Sequence, residues 1–185
     1  MVAPHLNYSH DMAAGFPGLL ADLRPKAADS HIQGEASAEV PFGAAVILGT
    51  ASTVPGTPDP VVLPVDGNSR ITGVVLHSHA YLGPGTYAPQ LGDVGVKPTN
   101  MVAVLKKGRV HVLWEGGAVS KGANLYVRHT AGVGEQKGAF RHDADGGDAV
   151  LVRGFVAAET VTADGRNFLA VDVDVDAYNA TNGLT

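Results

Sequence analysis

Hydrophobic and polar positions alternate most strictly near the C-terminus, where residues 171–176 read VDVDVD. A period of two places Val171, Val173 and Val175 on one face of a strand and the three aspartates on the other. Other short apolar runs have turn residues at their ends. Residues 42–49 (FGAAVILG) lie between Pro41 and Gly49, and residues 71–77 (ITGVVLH) form a second run. Both have the length and β-branched content of buried strands. Residues 101–114 (MVAVLKKGRVHVLW) hold two apolar runs around Lys106, Lys107 and Gly108, which predicts a hairpin with a glycine at its bulged turn. Lys121-Gly122, Lys137-Gly138 and Asp164-Gly165 repeat the device ahead of further apolar runs. Their spacing is uneven, so the pattern describes a meander and not a solenoid.

No sustained helical period appears beyond residue 41. The pattern therefore predicts an all-β fold, an antiparallel β-barrel or sandwich of jelly-roll-like type, formed by a single domain over residues 41–185. Residues 54–60 (VPGTPDP) and 82–98 read as proline- and glycine-rich loops. Residues 1–40 have little periodicity. Within them, residues 13–25 (AAGFPGLLADLRP) are apolar, yet Pro17 and Pro25 leave room for no more than one helical turn. This region is expected to be an extended N-terminal arm.

Composition supports the pattern. Among 185 residues, 45% are hydrophobic, 17% are charged, 24 are glycine and 11 are proline, as expected of a folded chain rich in strands and turns. The net charge of −5 and the lack of any basic run longer than Lys106-Lys107 argue against nucleic acid as a partner. With no cysteine, disulfides and thiolate metal sites are excluded. The first twenty residues lack a basic n-region and are broken by Pro17, so no secretory signal is expected. Nowhere do eighteen apolar residues run together, so a soluble chain is expected, with no membrane partner.

Candidate chemistry is sparse. His77 and His79 are two apart, so on a strand both imidazoles face one way, as in a cupin-like metalloenzyme. The glutamate that cupins place about four residues later is absent; Gly83 and Pro84 stand there, and no Glu occurs between Ala80 and Leu113. Asp172, Asp174 and Asp176 begin like a calcium-binding loop, but Ala177 and Gly183 occupy the positions that need Gly and Glu. Residues 83–88 (GPGTYA) match a loose dinucleotide fingerprint whose helix Pro89, Gly92 and Gly95 preclude. Residues 142–148 (HDADGGD) read as a turn. No nucleophile motif is present, and the scattered aromatics do not make a carbohydrate-binding row. No catalytic residue, metal ligand or cofactor is assigned.

One resemblance gathers these pieces. Residues 15–22 (GFPGLLAD) and 35–46 (EASAEVPFGAAV), followed by glycine-led strands at 108–112, 122–127 and 138–141 and the closing run 168–173 (FLAVDV), resemble the structural cement, or capsid decoration, proteins of tailed bacteriophages. The resemblance implies a non-enzymatic virion protein, made in the bacterial host cytoplasm, that binds the outside of an icosahedral head and reinforces it. It implies the major capsid protein as partner and a homo-oligomer, a trimer ahead of a dimer. The arm then supplies the interface residues: Phe16, Pro17, Leu19, Leu20 and Leu23. Fully burying its four large side chains contributes roughly 6–12 kcal/mol. Ordering about ten arm residues costs roughly 10–20 kcal/mol. Backbone hydrogen bonds or a partner surface must therefore help to order it.

Overall fold

The computed structural model describes residues 15–22, 26–36, 38–50, 56–77, 95–162 and 165–177. Its strands in chain order are β1 (Ala27–Gln33), β2 (Val40–Pro41), β3 (Ala45–Leu48), β4 (Pro60–Val62), β5 (Ile71–Val75), β6 (Gly95–Val96), β7 (Met101–Leu113), β8 (Asn124–Arg128), β9 (Phe140–Arg141), β10 (Ala149–Ala157) and β11 (Phe168–Asp174). The all-β expectation holds: short 3-10 and helical turns at Asp145–Gly147 and residues 175–177 interrupt an otherwise stranded chain.

The main sheet runs β1-β4-β3-β5-β7-β11-β10-β8-β9, and β1 also pairs with β7. That extra pairing closes β1, β4, β3, β5 and β7 into a barrel. The remaining strands curl in the same way, because Phe140 of β9 bridges Trp114, the residue after β7. Nearly every pairing is antiparallel; β1 with β4 and the Trp114–Phe140 bridge are parallel.

β7 departs from expectation. Residues 101–113 do not form a hairpin but one strand of 13 residues. Its first half pairs with β1 and β5, and its second half with β11. Gly108 (φ 139°) sits where these partners change, opposite a register shift at Ala27/Ala28. Glycine tolerates that backbone angle, so the strand bends there and does not reverse. The lysines that resembled turn residues form ion pairs instead, Lys106 with Asp29 and Lys107 with Asp174. Each apolar half thus has a different neighbour, and a period of two cannot tell a bent strand from two strands.

The sheet also begins earlier than residue 41. β1 lies in the region read as an arm, yet it pairs with β7 from Ala27↔Lys107 to Ile32↔Met101. Its sequence, AADSHIQ, is exposed over its first four residues and buries only His31 and Gln33, which hides the strand from an apolar pattern. β4 was also not anticipated; Pro60 opens it, a strand position that needs no amide donor.

Two clusters fill the interior. Val40, Phe42, Ala44, Val46, Val61, Leu63, Val75, Val96, Val102 and Val104 pack together on one side of the closed ring. The larger cluster takes the alternate residues of the same strands, including Ala45, Val74 and Leu105, and joins them to Leu125, Phe140, Phe155 and Leu169. Val171, Val173 and Val175 belong to it, as their alternation predicts, and Asp172 points outward to Arg109. Adjacent residues of β7 therefore serve different cores, Val104 one and Leu105 the other.

Candidate interface: the docked N-terminal segment and the arginine cluster

Residues 18–21 lie along the second half of β7. Gly18 N–H donates to the His111 carbonyl (2.7 Å), His111 N–H to Leu19 O (2.9 Å) and Ala21 N–H to Arg109 O (3.0 Å). Leu20 forms an antiparallel bridge with Val110. The end of β5 joins the arrangement, since His77 N–H donates to Gly18 O at 2.9 Å. These bonds are the backbone contribution that the apolar side chains alone could not replace.

Each expected interface residue within the described chain lands on this edge. Phe16 meets the His77 ring edge-on, centroid to centroid 4.7 Å, and Phe42 meets the same ring from another side at 4.7 Å. Pro17 abuts Gly43, where an added Cβ would lie 2.8 Å from the proline Cβ. Leu20 packs onto the larger core. Leu19, its neighbour on the opposite face of the extended segment, is half-buried. Asp22 approaches Arg109 at 3.9 Å, and Arg109 makes a bidentate pair with Asp172 at 2.8 and 2.7 Å. Leu23 lies outside the described residues.

Tight backbone approach explains the glycines of this segment. Gly18 has φ +83°, and a Cβ there would come within 2.7 Å of His77 N. A Cβ on Gly15 would overlap the Cδ2, Nε2 and Cε1 atoms of His111. His111 is buried, with Phe168 edge-on at 5.3 Å and, among the described residues, no hydrogen-bond partner for its Nδ1. Burial pushes the His111 pKa below its ordinary value, against a smaller upward pull from Glu159.

The structure gives no support to a cupin-like site. The His77 ring is flanked by Phe16 and Phe42, and among the described residues no group of three or more metal-ligating side chains comes together. His79 and residues 83–88 lie outside the described residues. Asp172 and Asp174 sit on β11 and pair with Arg109 and Lys107, so they do not form a chelating loop.

A second polar assembly escaped the sequence pattern. Arg128, 1% exposed at the end of β8, reaches Glu115 (2.8 Å), Glu135 (2.8 Å), Asp145 (2.5 Å) and the Thr130 carbonyl (3.3 Å). Arg141 shares Asp145 at 2.6 Å and pairs with Asp143. Gln136 N–H donates to Glu115 Oε1 at 3.0 Å, which ties the loop between β8 and β9 to the end of β7. Burial alone would lower the Arg128 pKa, yet the Glu115 and Asp145 hydrogen bonds raise it. The Asp145 turn was expected; its joining of two arginines depends on segments far apart in the chain.

Comparison with known proteins places this architecture. A solved structure titled "The capsid of Myoviridae Phage XM1" contains a chain of the same fold, with TM-score 0.62 and 16% identity, covering 89% of this chain and 93% of that one. Among curated proteins none matches the sequence. The family described as "Structural cement protein (E217 gp24/Pam3 gp6)" matches residues 5–172, nearly the whole chain, including the docked segment and every strand up to most of β11. The chain therefore belongs to the structural cement protein family, and its role is that of a structural component of the phage virion.

Proposed function

We propose that this chain binds the outer surface of an icosahedral phage head through the major capsid protein and reinforces the shell, without catalysis. The observation that carries the reading is the family match across residues 5–172. Gripping a shell calls for several weak contacts made at once, which favours a homo-oligomer, a trimer ahead of a dimer, because linked sites multiply modest affinities.

In this reading the N-terminal segment contributes to the interface. Phe16, Pro17, Leu19 and Leu20 are all only half-buried on their own chain, so apolar surface is left over along one edge. Leu23 extends the same apolar run in sequence. Leu19 is the residue to test, because it lies on the face opposite Leu20, which packs against the larger core.

Co-sedimentation with cognate undecorated heads tests both levels. The wild-type chain should pellet with the heads, and Leu19→Asp should bind at least tenfold more weakly while remaining folded. Unchanged binding by a folded Leu19→Asp would remove the segment from the interface. Failure of the wild type to bind cognate heads would overturn the capsid reading itself.

A further inference from the structure

We propose that His111 makes the docking of residues 15–21 onto β7 dependent on pH, so that protonating its ring releases the segment. The segment and the histidine are joined twice. Gly18 and Leu19 exchange backbone hydrogen bonds with His111, and the backbone of Gly15 lies directly against the imidazole with no room for a Cβ. Phe168 covers another side of the ring. The buried Nδ1 has no acceptor among the described residues, so a proton added there becomes a buried donor without a partner among them, on a charged ring. Water reaches that ring when Gly15 lifts away, and lifting Gly15 strains the two backbone bonds beside it.

The charged groups around the ring do not neutralise an imidazolium. On β7 itself, Arg109 is a cation two residues away; it is paired with Asp172 of β11 and approached by Asp22 of the segment. Glu159, beyond β10, does favour the charged ring, but its carboxylate accepts Ala170 N–H (3.1 Å) and faces Arg166 (3.7 Å). His77, across from Phe16, is the other imidazole beside the segment. Burial outweighs Glu159, so docking favours the neutral ring over the charged one.

The sign follows from proton binding. With the docked pKa below the ordinary 6.5, the released state binds more protons. Docking is therefore fully stable above about pH 6.5 and weakens as pH falls, until the docked ring itself protonates. Each unit between the two pKa values changes the docking equilibrium tenfold. This release belongs to the free chain and needs no contact between the segment and a capsid.

NMR of the full isotope-labelled chain between pH 8 and 4.5 provides the test, following the His111 ring together with the Gly18 and Ala21 amides. The expected result is a common midpoint below 6.5, with limited proteolysis within residues 15–22 accelerating over the same range. The pH response should vanish in His111→Phe, and its midpoint should fall in Glu159→Gln, which keeps the Ala170 bond but removes the charge. Static Gly18 and Ala21 amides through the His111 titration would overturn the proposal. So would a response that persists in His111→Phe but disappears in His77→Phe, or an unmoved midpoint in Glu159→Gln should His111→Phe fail to fold.

Discussion

Arg128 donates its Nε–H to both carboxylate oxygens of Glu115, at 2.9 and 2.8 Å, from a side chain that is only 1% exposed. A cation held so deep needs its full set of partners, since an unpaired buried charge is far less favourable than the same charge in water. Arg128→Met should therefore lower unfolding stability by about 3 kcal/mol, near the low end for a broken buried pair because Glu135 and Asp145 can regain water. Urea unfolding at neutral pH measures this. A loss under 1 kcal/mol would mean that the cluster contributes shape and not stability.

Asp145 gives the same cluster a pH signature. The Arg128 hydrogen bond, helped by Arg141, holds its carboxyl below the ordinary 3.8. The folded state thus binds fewer protons than the unfolded chain near that pH. The contribution is fully present above about 3.8 and disappears as pH falls through the lowered value. In Asp145→Asn the urea midpoint should drop at pH 7, and the gap to wild type should narrow at pH 3. A gap that stays constant would show that the carboxylate charge is not what holds the cluster.

Leu19 and Leu20 should separate binding from folding. Leu20 packs against the larger core, so Leu20→Ala should lower stability by about 1–2 kcal/mol, less than a fully buried leucine loses. Leu19→Ala, half-buried on the opposite face, should cost less, under about 1 kcal/mol. Thermal unfolding of the two variants side by side decides the matter, and equal losses would show that both leucines serve the chain's own core.

Gly18 is the third lever on the segment. Its φ of +83° disfavours any residue with a Cβ by roughly 1–2 kcal/mol, and here that Cβ would also press on His77 N and lie 2.9 Å from Phe42 Cβ. Gly18→Ala should release residues 15–21 while the barrel stays folded. Loss of protection at the Gly18-adjacent amides, with core amides unchanged, is the expected hydrogen-exchange result. Full protection would show that the backbone adapts.

Much of the fold was legible in local pattern. VDVDVD specified which face of β11 is buried, and Lys121-Gly122 and Lys137-Gly138 marked turns that do precede β8 and β9. The motifs GFPGLLAD and VPFGAAV carried the family, because tight backbone approaches around Gly18 and Gly43 demand those small residues. The absence of a cupin glutamate was likewise readable, since it is a matter of spacing.

Other features depend on which distant segments meet. Residues 101–113 look alike whether they reverse at Gly108 or run on, and only β1, β5 and β11 lying alongside decide for one bent strand. β1 is nearly polar, so its place in the barrel rests on backbone pairing that side-chain pattern does not encode. The Arg128 cluster draws carboxylates from 13 residues before it and 17 after it, and no periodicity links them. By itself the sequence determined the fold class, the turns and the family, all of which follow from alternation, glycine placement and short motifs. Only the tertiary structure decided that the apolar N-terminal segment lies on β7 over His111, because that contact joins residues some ninety apart, beyond the reach of any local preference.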